Sequence, residues 1–282
     1  MTIRLLLAAV ACLGIAGGQT PTFRAGIDKV RVDVLVTRDG QPVVKLKPSD
    51  FEILDNGVPQ KVDDYGAFED IPLNLVFAID ASSSVAGTRA ELLRGACRSV
   101  LGELGKDDQA GLIVFGDAVV VRSRLSRDLG SVKAAVDHPL PPGQTSLIDA
   151  AQVSIALAES EPGRALVLVF SDGLEVSSYL TPGAVLETAQ RSDALIYGVT
   201  PRGVTRSRFL GELAETSGGT LFEIASPLEI GTAFKKVLEE FRHRYLLSYT
   251  PTGVQGSGWH KLKVRVKQQG TTVKARPGYL RQ

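Results

Sequence analysis

Cysteine is nearly absent from this 282-residue chain: Cys12 and Cys97 are its two thiols, so a chain that has lost its N-terminus has no partner for an intrachain disulfide. Cys97 falls among Leu93, Val100, Leu101 and Leu104 at helical spacing, which reads as a core position rather than a reactive one. An excess of charge is missing too. Lys and Arg total 32 against 31 Asp and Glu, a balance that gives no support to a nucleic-acid surface or a polybasic membrane patch as the basis of recognition. There is no G-x-x-x-x-G-K-[ST], no G-x-G-x-x-G and no G-x-S-x-G, so phosphate-cradling loops and a nucleophile elbow have no support. Histidine occurs three times, as His138 in a loop before prolines, His243 at a helix end and His260 in the C-terminal β segment, none beside the Asp- and Ser-bearing stretches at 80–84 and 171–172. A Ser-His mechanism would need distant segments to meet, and the expectation is a protein that is not an enzyme. Beyond the N-terminus no segment has the length and apolarity of a membrane span.

The N-terminus, "MTIRLLLAAVACLGIAGGQT", places Arg4 before an apolar stretch from Leu5 to Ile15 and then small residues through Gly18. This is the layout of a secretory signal peptide over residues 1–18 and predicts a secreted or periplasmic protein. Two other readings are a buried N-terminal helix and lipoprotein anchoring through Cys12, for which the preceding "AAVA" is a poor match.

The middle of the chain alternates continuous apolar runs with amphipathic segments. "LNLVFAID" (73–80), "QAGLIVFG", "RALVLVFSDG" and "DALIYGVT" read as buried strands, and segments such as "TRAELLRGACRSVLGELG" and "LEIGTAFKKVLEEFRHR" read as helices. "QAGLIVFG" and "AVVVRSRL" form a hairpin around Gly116 and Asp117. Buried strands separated by helices require a mostly parallel sheet covered on both faces, hence a doubly wound α/β domain over residues 71–243.

The flanks have a different pattern. Val30, Val32, Val34 and Val36 alternate with other residues, "LDNGV" around Asn56 and Gly57 is a two-residue hairpin signal, and Leu262, Val264 and Val266 alternate with Lys261, Lys263, Arg265 and Lys267. Residues 22–70 and 245–282 thus read as antiparallel β structure with one wet face. Two arrangements satisfy this: one small β-sandwich assembled from both ends with the α/β domain inserted, or strands added to the edges of the α/β sheet. Trp259 and Tyr245 read as packing residues of these β segments.

In an open α/β sheet, ligands gather beyond the carboxyl ends of the strands. "LNLVFAIDASSS" delivers Asp80, Ser82, Ser83 and Ser84 there, "PPGQTSLIDA" places Thr145 immediately before a helix, and "VLVFSDG" ends a second buried strand at Asp172. Asp80, Ser82, Ser84, Thr145 and Asp172 then share one rim, with Ser83 facing elsewhere by alternation. Taken singly, Asp and Ser after a strand are ordinary helix caps. Together, two carboxylates and three hydroxyls without cysteine or histidine are a hard donor set suited to Mg²⁺, with Ca²⁺ or Mn²⁺ as substitutes. Asp149, in the first turn of the following helix, either supports that site or balances the helix N-terminus.

The D-x-S-x-S of "DASSS", the Thr of "GQTSLIDA" and the Asp of "SDG", in this order, resemble the metal-ion-dependent adhesion site (MIDAS) of von Willebrand factor type A (VWA) domains. The leader, "SDFEILDNGVPQKV" and the tail "YLLSYTP…GWHKLKVRV…VKARPGYL" resemble exported bacterial VWFA-related proteins. The resemblance implies a Rossmann-like, mostly parallel six-stranded domain that binds Mg²⁺ and, through it, an Asp or Glu of a protein partner. It also implies Ser82, Ser84 and Thr145 as direct ligands, and Asp80 and Asp172 as direct or water-mediated ones. Two further readings stay open: an assembly factor of a cell-envelope complex with a stabilising metal, and a metal-dependent hydrolase.

Overall fold

The computed structural model describes residues 29–66, 71–82, 85, 87–138, 143–171, 175, 177–203 and 208–281. The N-terminal flank supplies β1 (Val30–Arg38), β2 (Gln41–Pro42), β3 (Phe51–Asp55), β4 (Val58–Gln60) and β5 (Asp64–Gly66). The middle runs β6 (Leu73–Asp80), α1 (Thr88–Leu101), β7 (Gln109–Phe115), β8 (Val119–Ser126), α2 (Leu129–Asp137), α3 (Leu147–Ala158), β9 (Arg164–Phe170), α4 (Pro182–Arg191), β10 (Leu195–Pro201), α5 (Arg208–Ser217), β11 (Leu221–Ile224) and α6 (Ile230–Arg242). The C-terminal flank adds β12 (Tyr245–Tyr249), β13 (Gly258–Val266), β14 (Thr272–Lys274) and β15 (Gly278–Arg281).

Strands β6, β7 and β9 are buried at every position, the consequence of apolar runs with no polar alternation. They lie inside a six-stranded sheet of order β11-β10-β9-β6-β7-β8, parallel except for the antiparallel edge β8. Alternate residues of β6 serve opposite cores. Leu73, Leu75, Phe77 and Ile79 pack with α1, α2 and α6 through Leu93, Val132 and Phe234. Val76 and Ala78 pack with α3, α4 and α5 through Ile148, Val185 and Leu213. This is the doubly wound α/β fold expected of the middle segment. Because the chain leaves β6 for β7 on one side and later returns to β9 on the other, the strand order reverses at β6, and its carboxyl end opens onto a crevice.

The flanks interleave in two antiparallel sheets. One has the order β14-β1-β12-β5, with β2 also on β1, and the other has the order β15-β13-β3-β4. Val32 pairs with Leu247, and Ile53 pairs with Val264, so each sheet holds strands from both ends of the chain. Among the described residues no flank strand pairs with the six-stranded sheet. Val32, Val34, Val36, Ile53, Leu247 and Tyr249 fill the space between the two sheets. The β3–β4 turn is Asn56-Gly57, both at positive φ, the conformation that a two-residue hairpin needs and that Asn and Gly adopt at least cost. Tyr245 is a core residue whose hydroxyl donates to the Val43 carbonyl, whereas Trp259 stays 43% exposed with its ring laid over Gly278.

Three arginines join the two units. Arg164, at the start of β9, pairs with Asp33 of β1 and lies 4.5 Å from the Phe241 ring centroid. Arg244, 1% exposed, donates to the Tyr197 hydroxyl at 2.9 Å and to the Gly218 carbonyl at 2.6 Å. Arg276 reaches back from the C-terminal flank to Asp193 at 3.2 Å and the Gln190 carbonyl at 2.7 Å. Among the described residues no helix is long and apolar enough to cross a membrane.

Since β1 and β3 find their neighbours in β12 and β13, either flank alone exposes an apolar sheet face to water. Deleting residues 245–282 is therefore expected to abolish amide-exchange protection across 30–62 and to leave it in place across β6, β7 and β9. Retained protection of the N-terminal strands in that truncation would show that they fold unaided.

Candidate functional site

Asp80 is the last residue of β6 and is 0% exposed. Its Oδ1 accepts the Ser82 N–H at 2.8 Å and its Oδ2 accepts the Ser171 hydroxyl at 2.8 Å. Burial pushes its carboxyl above the usual range, hydrogen bonds from Ser82 and Ser171 oppose this, and the nearby Glu175 carboxylate reinforces it. Among the described residues no Lys or Arg forms an ion pair with Asp80. A buried carboxylate attended, among the described residues, by hydroxyls, an amide and a second carboxylate is costly unless a cation is supplied from outside.

Thr145 is brought to this point by the hairpin between β7 and β8. Asp117 Oδ1 at the hairpin tip accepts the Gln144 N–H at 2.7 Å, and the Ser146 hydroxyl donates to the Gly116 carbonyl at 2.7 Å. A β-carbon on Gly143 would lie 2.6 Å from the Asp117 nitrogen, so this close approach requires glycine. Gly143 also forms a parallel bridge with Ser82, which sets the loop bearing Thr145 alongside the loop that follows β6. Ser82 and Thr145 are both buried. The structure thus gathers Asp80, Ser82 and Thr145 at the carboxyl ends of the central strands. Ser84 and Asp172 lie outside the described residues.

Several contributors were not singled out from sequence. Ser171, one position before Asp172, holds Asp80 Oδ2. Glu175 caps α3: its carboxylate accepts N–H groups of Ile148 at 3.0 Å, Ser177 at 2.9 Å and Ser178 at 2.7 Å. The Ser178 hydroxyl accepts from Ile148 and Asp149, each at 3.1 Å. Asp149, for which two roles were open, accepts the N–H groups of Tyr179 and Leu180, both at 2.9 Å, and so ties the following loop to α3. The "SDGLEVSSYL" stretch, dense in hydroxyls and carboxylates, was the only sequence signal of this capping network.

His138 is exposed, His243 sits at the α6 terminus with Nδ1 2.7 Å from the Glu239 carbonyl, and His260 is buried in the flanking sheets. Among the described residues none of them hydrogen-bonds to Asp80, Ser82 or Thr145. Cys97 is buried in the α1 core, where burial holds its thiol far above the usual range. Among the described residues no three His, Cys, Asp or Glu side chains converge as a metal site. The donor set seen here is one carboxylate with hydroxyls, hard oxygen ligands that fit a divalent cation with retained waters.

Residues 75–175 match the family model of the von Willebrand factor type A domain. Over 92 residues the chain is 30% identical to inter-alpha-trypsin inhibitor heavy chain H4 of Sus scrofa, covering 32% of this chain and 10% of that protein. It is 27% identical over 135 residues to heavy chain H6 of Homo sapiens, covering 42% and 10%. The chain thus matches about a tenth of the length of these curated relatives. Among solved structures, mussel byssus proximal thread matrix protein 1 with a zinc-occupied MIDAS motif aligns with a TM-score of 0.56 and 16% identity, over 65% of this chain and 48% of that one. A von Willebrand factor type A protein from Catenulispora acidiphila aligns with a TM-score of 0.54 and 11% identity, over 82% and 73%. The α/β unit has the fold of a VWA domain.

Proposed function

We propose that the chain is an exported protein-binding module of adhesion type, in which the α/β domain holds a divalent cation and recognises an acidic residue of a partner protein. The observation that carries this reading is Asp80: a fully buried carboxylate at the strand-order switch, without a cationic partner among the described residues and beside the buried hydroxyl residues Ser82 and Thr145. Asp80, Ser82 and Thr145, with Ser84 and Asp172, would hold Mg²⁺. When bound, the ion would supply a concentrated positive charge able to accept one more anionic oxygen. Ser171 orients the Asp80 carboxylate, and the hairpin tip at Gly116 and Asp117 fixes the Thr145 loop. The leader-like residues 1–18 support export.

Calorimetric titration with Mg²⁺, carried into the millimolar range where extracellular cation modules bind, is expected to show one site in the native protein and none in Asp80→Ala. A parallel Zn²⁺ titration separates the two cations, since the mussel protein was solved with zinc in its motif. Equal Mg²⁺ heats from both proteins would remove the site.

A further inference from the structure

Tyr179 is 96% exposed, more than any other large apolar side chain among the described residues, and Leu180 beside it is 41% exposed. An aromatic ring left wholly in water usually rides on a loose loop. Here its backbone is pinned: the Tyr179 and Leu180 N–H groups both end on the Asp149 carboxylate at 2.9 Å, and Thr181 caps α4 one residue later. The position is also fixed relative to the cation site. The Ser177 N–H donates to the Thr145 carbonyl at 3.3 Å, and the Ser177 and Ser146 hydroxyls are 2.8 Å apart. Two residues of chain reach at most about 7 Å, so the Tyr179 backbone stands within that span of a residue bonded to Thr145. The two described carboxylates on this segment and on the first turn of α3, Glu175 and Asp149, are both engaged by N–H groups.

We infer that Tyr179 and Leu180 form an apolar shelf beside the cation site, selecting a protein partner in which the metal-seeking Asp or Glu is neighboured by a bulky apolar residue. This rests on the cation-dependent reading above. A tyrosine on a held backbone has only two side-chain torsions to fix on contact and presents a large face, which is why such residues dominate binding surfaces. The carboxylate contributes attraction that any acidic segment shares, and the shelf contributes the discrimination.

The test is an immobilised peptide array in which a central Asp is flanked by each residue type in turn, with Asn counterparts, probed by the labelled full chain in Mg²⁺ and in chelator. Native protein is expected to bind Asp peptides with apolar neighbours about five- to tenfold better than those with polar neighbours, only in Mg²⁺. Tyr179→Ser should flatten that preference while its Mg²⁺ titration and melting curve stay native. A flat profile in the native protein, or one unchanged in Tyr179→Ser, overturns the shelf and leaves the cation reading standing. Binding that ignores the Asp-to-Asn change or the chelator overturns the cation reading and the shelf with it, as does an array without signal. Concentration-dependent self-association that Tyr179→Ser abolishes would assign the shelf to a second copy of the chain and overturn the peptide partner.

Discussion

Asp55→Ala is expected to lower the unfolding free energy by about 3–5 kcal/mol, read as a fall in the denaturant midpoint. The Asp55 carboxylate is fully buried between the flanking sheets and accepts the hydroxyls of Tyr249 at 2.8 Å and Tyr279 at 2.9 Å, with His260 Nδ1 at 2.9 Å. His260 Nε2 stands 3.2 Å from the Gly256 carbonyl, so both ring nitrogens face acceptors. Removing the carboxylate strands two phenols and an imidazole in an apolar core, where each unmade hydrogen bond costs about 1–3 kcal/mol. Asp55→Asn, which keeps the shape and one acceptor oxygen, should lose less. A midpoint within experimental error of native for Asp55→Ala would show that the network is not a stabilising hub. The same network gives the fold an alkaline limit. Burial and the Asp55 carboxylate push the Tyr249 phenol far above its ordinary value of 10.0, and Tyr279 is pushed up to about 12. Groups whose folded values are raised contribute stability that is whole below the unfolded value and is lost as pH rises through the folded one. The protein should therefore lose stability from about pH 10 upward, and Tyr249→Phe should lessen that loss.

What sequence made visible, and what it hid, divides by the distance over which the cause acts. β6 and β9 were legible because a strand buried on both faces carries a continuous apolar run, and the Asn56-Gly57 turn because few dipeptides accept positive φ twice. The α/β architecture follows from those local rules, as does the placing of Asp80 at the end of a strand and of Thr145 just before a helix. The Asp55 network did not show itself. Its partners are 194, 205 and 224 residues away, and a His or Tyr on an alternating strand looks the same with or without an acceptor across the core. Arg244 was equally silent: in sequence it is one more basic residue after His243 at a helix end, yet it is buried against Tyr197 and Gly218 because the chain turns there from α6 into β12. Glu175 and Asp149 likewise cap a helix and a loop some thirty residues away in sequence, a pairing that only the closed fold creates.

Asp80→Asn should separate what the site does for folding from what it does for the cation. In chelator the native protein holds a carboxylate in a fully buried place where burial disfavours its charge. Asparagine keeps an oxygen for the Ser82 N–H, and its amide can donate to the Ser171 hydroxyl once that hydroxyl turns. The variant is therefore expected to melt at or above the native temperature in chelator. Mg²⁺ at a hundred times its dissociation constant stabilises a folded site by about 2.7 kcal/mol. For a chain of this size that shift amounts to roughly 5–10 °C in the native melting temperature. The variant should show none of it, because a neutral amide gives the ion no charge to meet. Two results would defeat this account. An equal rise in both proteins would place the ion elsewhere, and an Asp80→Asn protein that melts well below native in chelator would make Asp80 a structural anchor of the β6 terminus rather than a charge held ready for a cation.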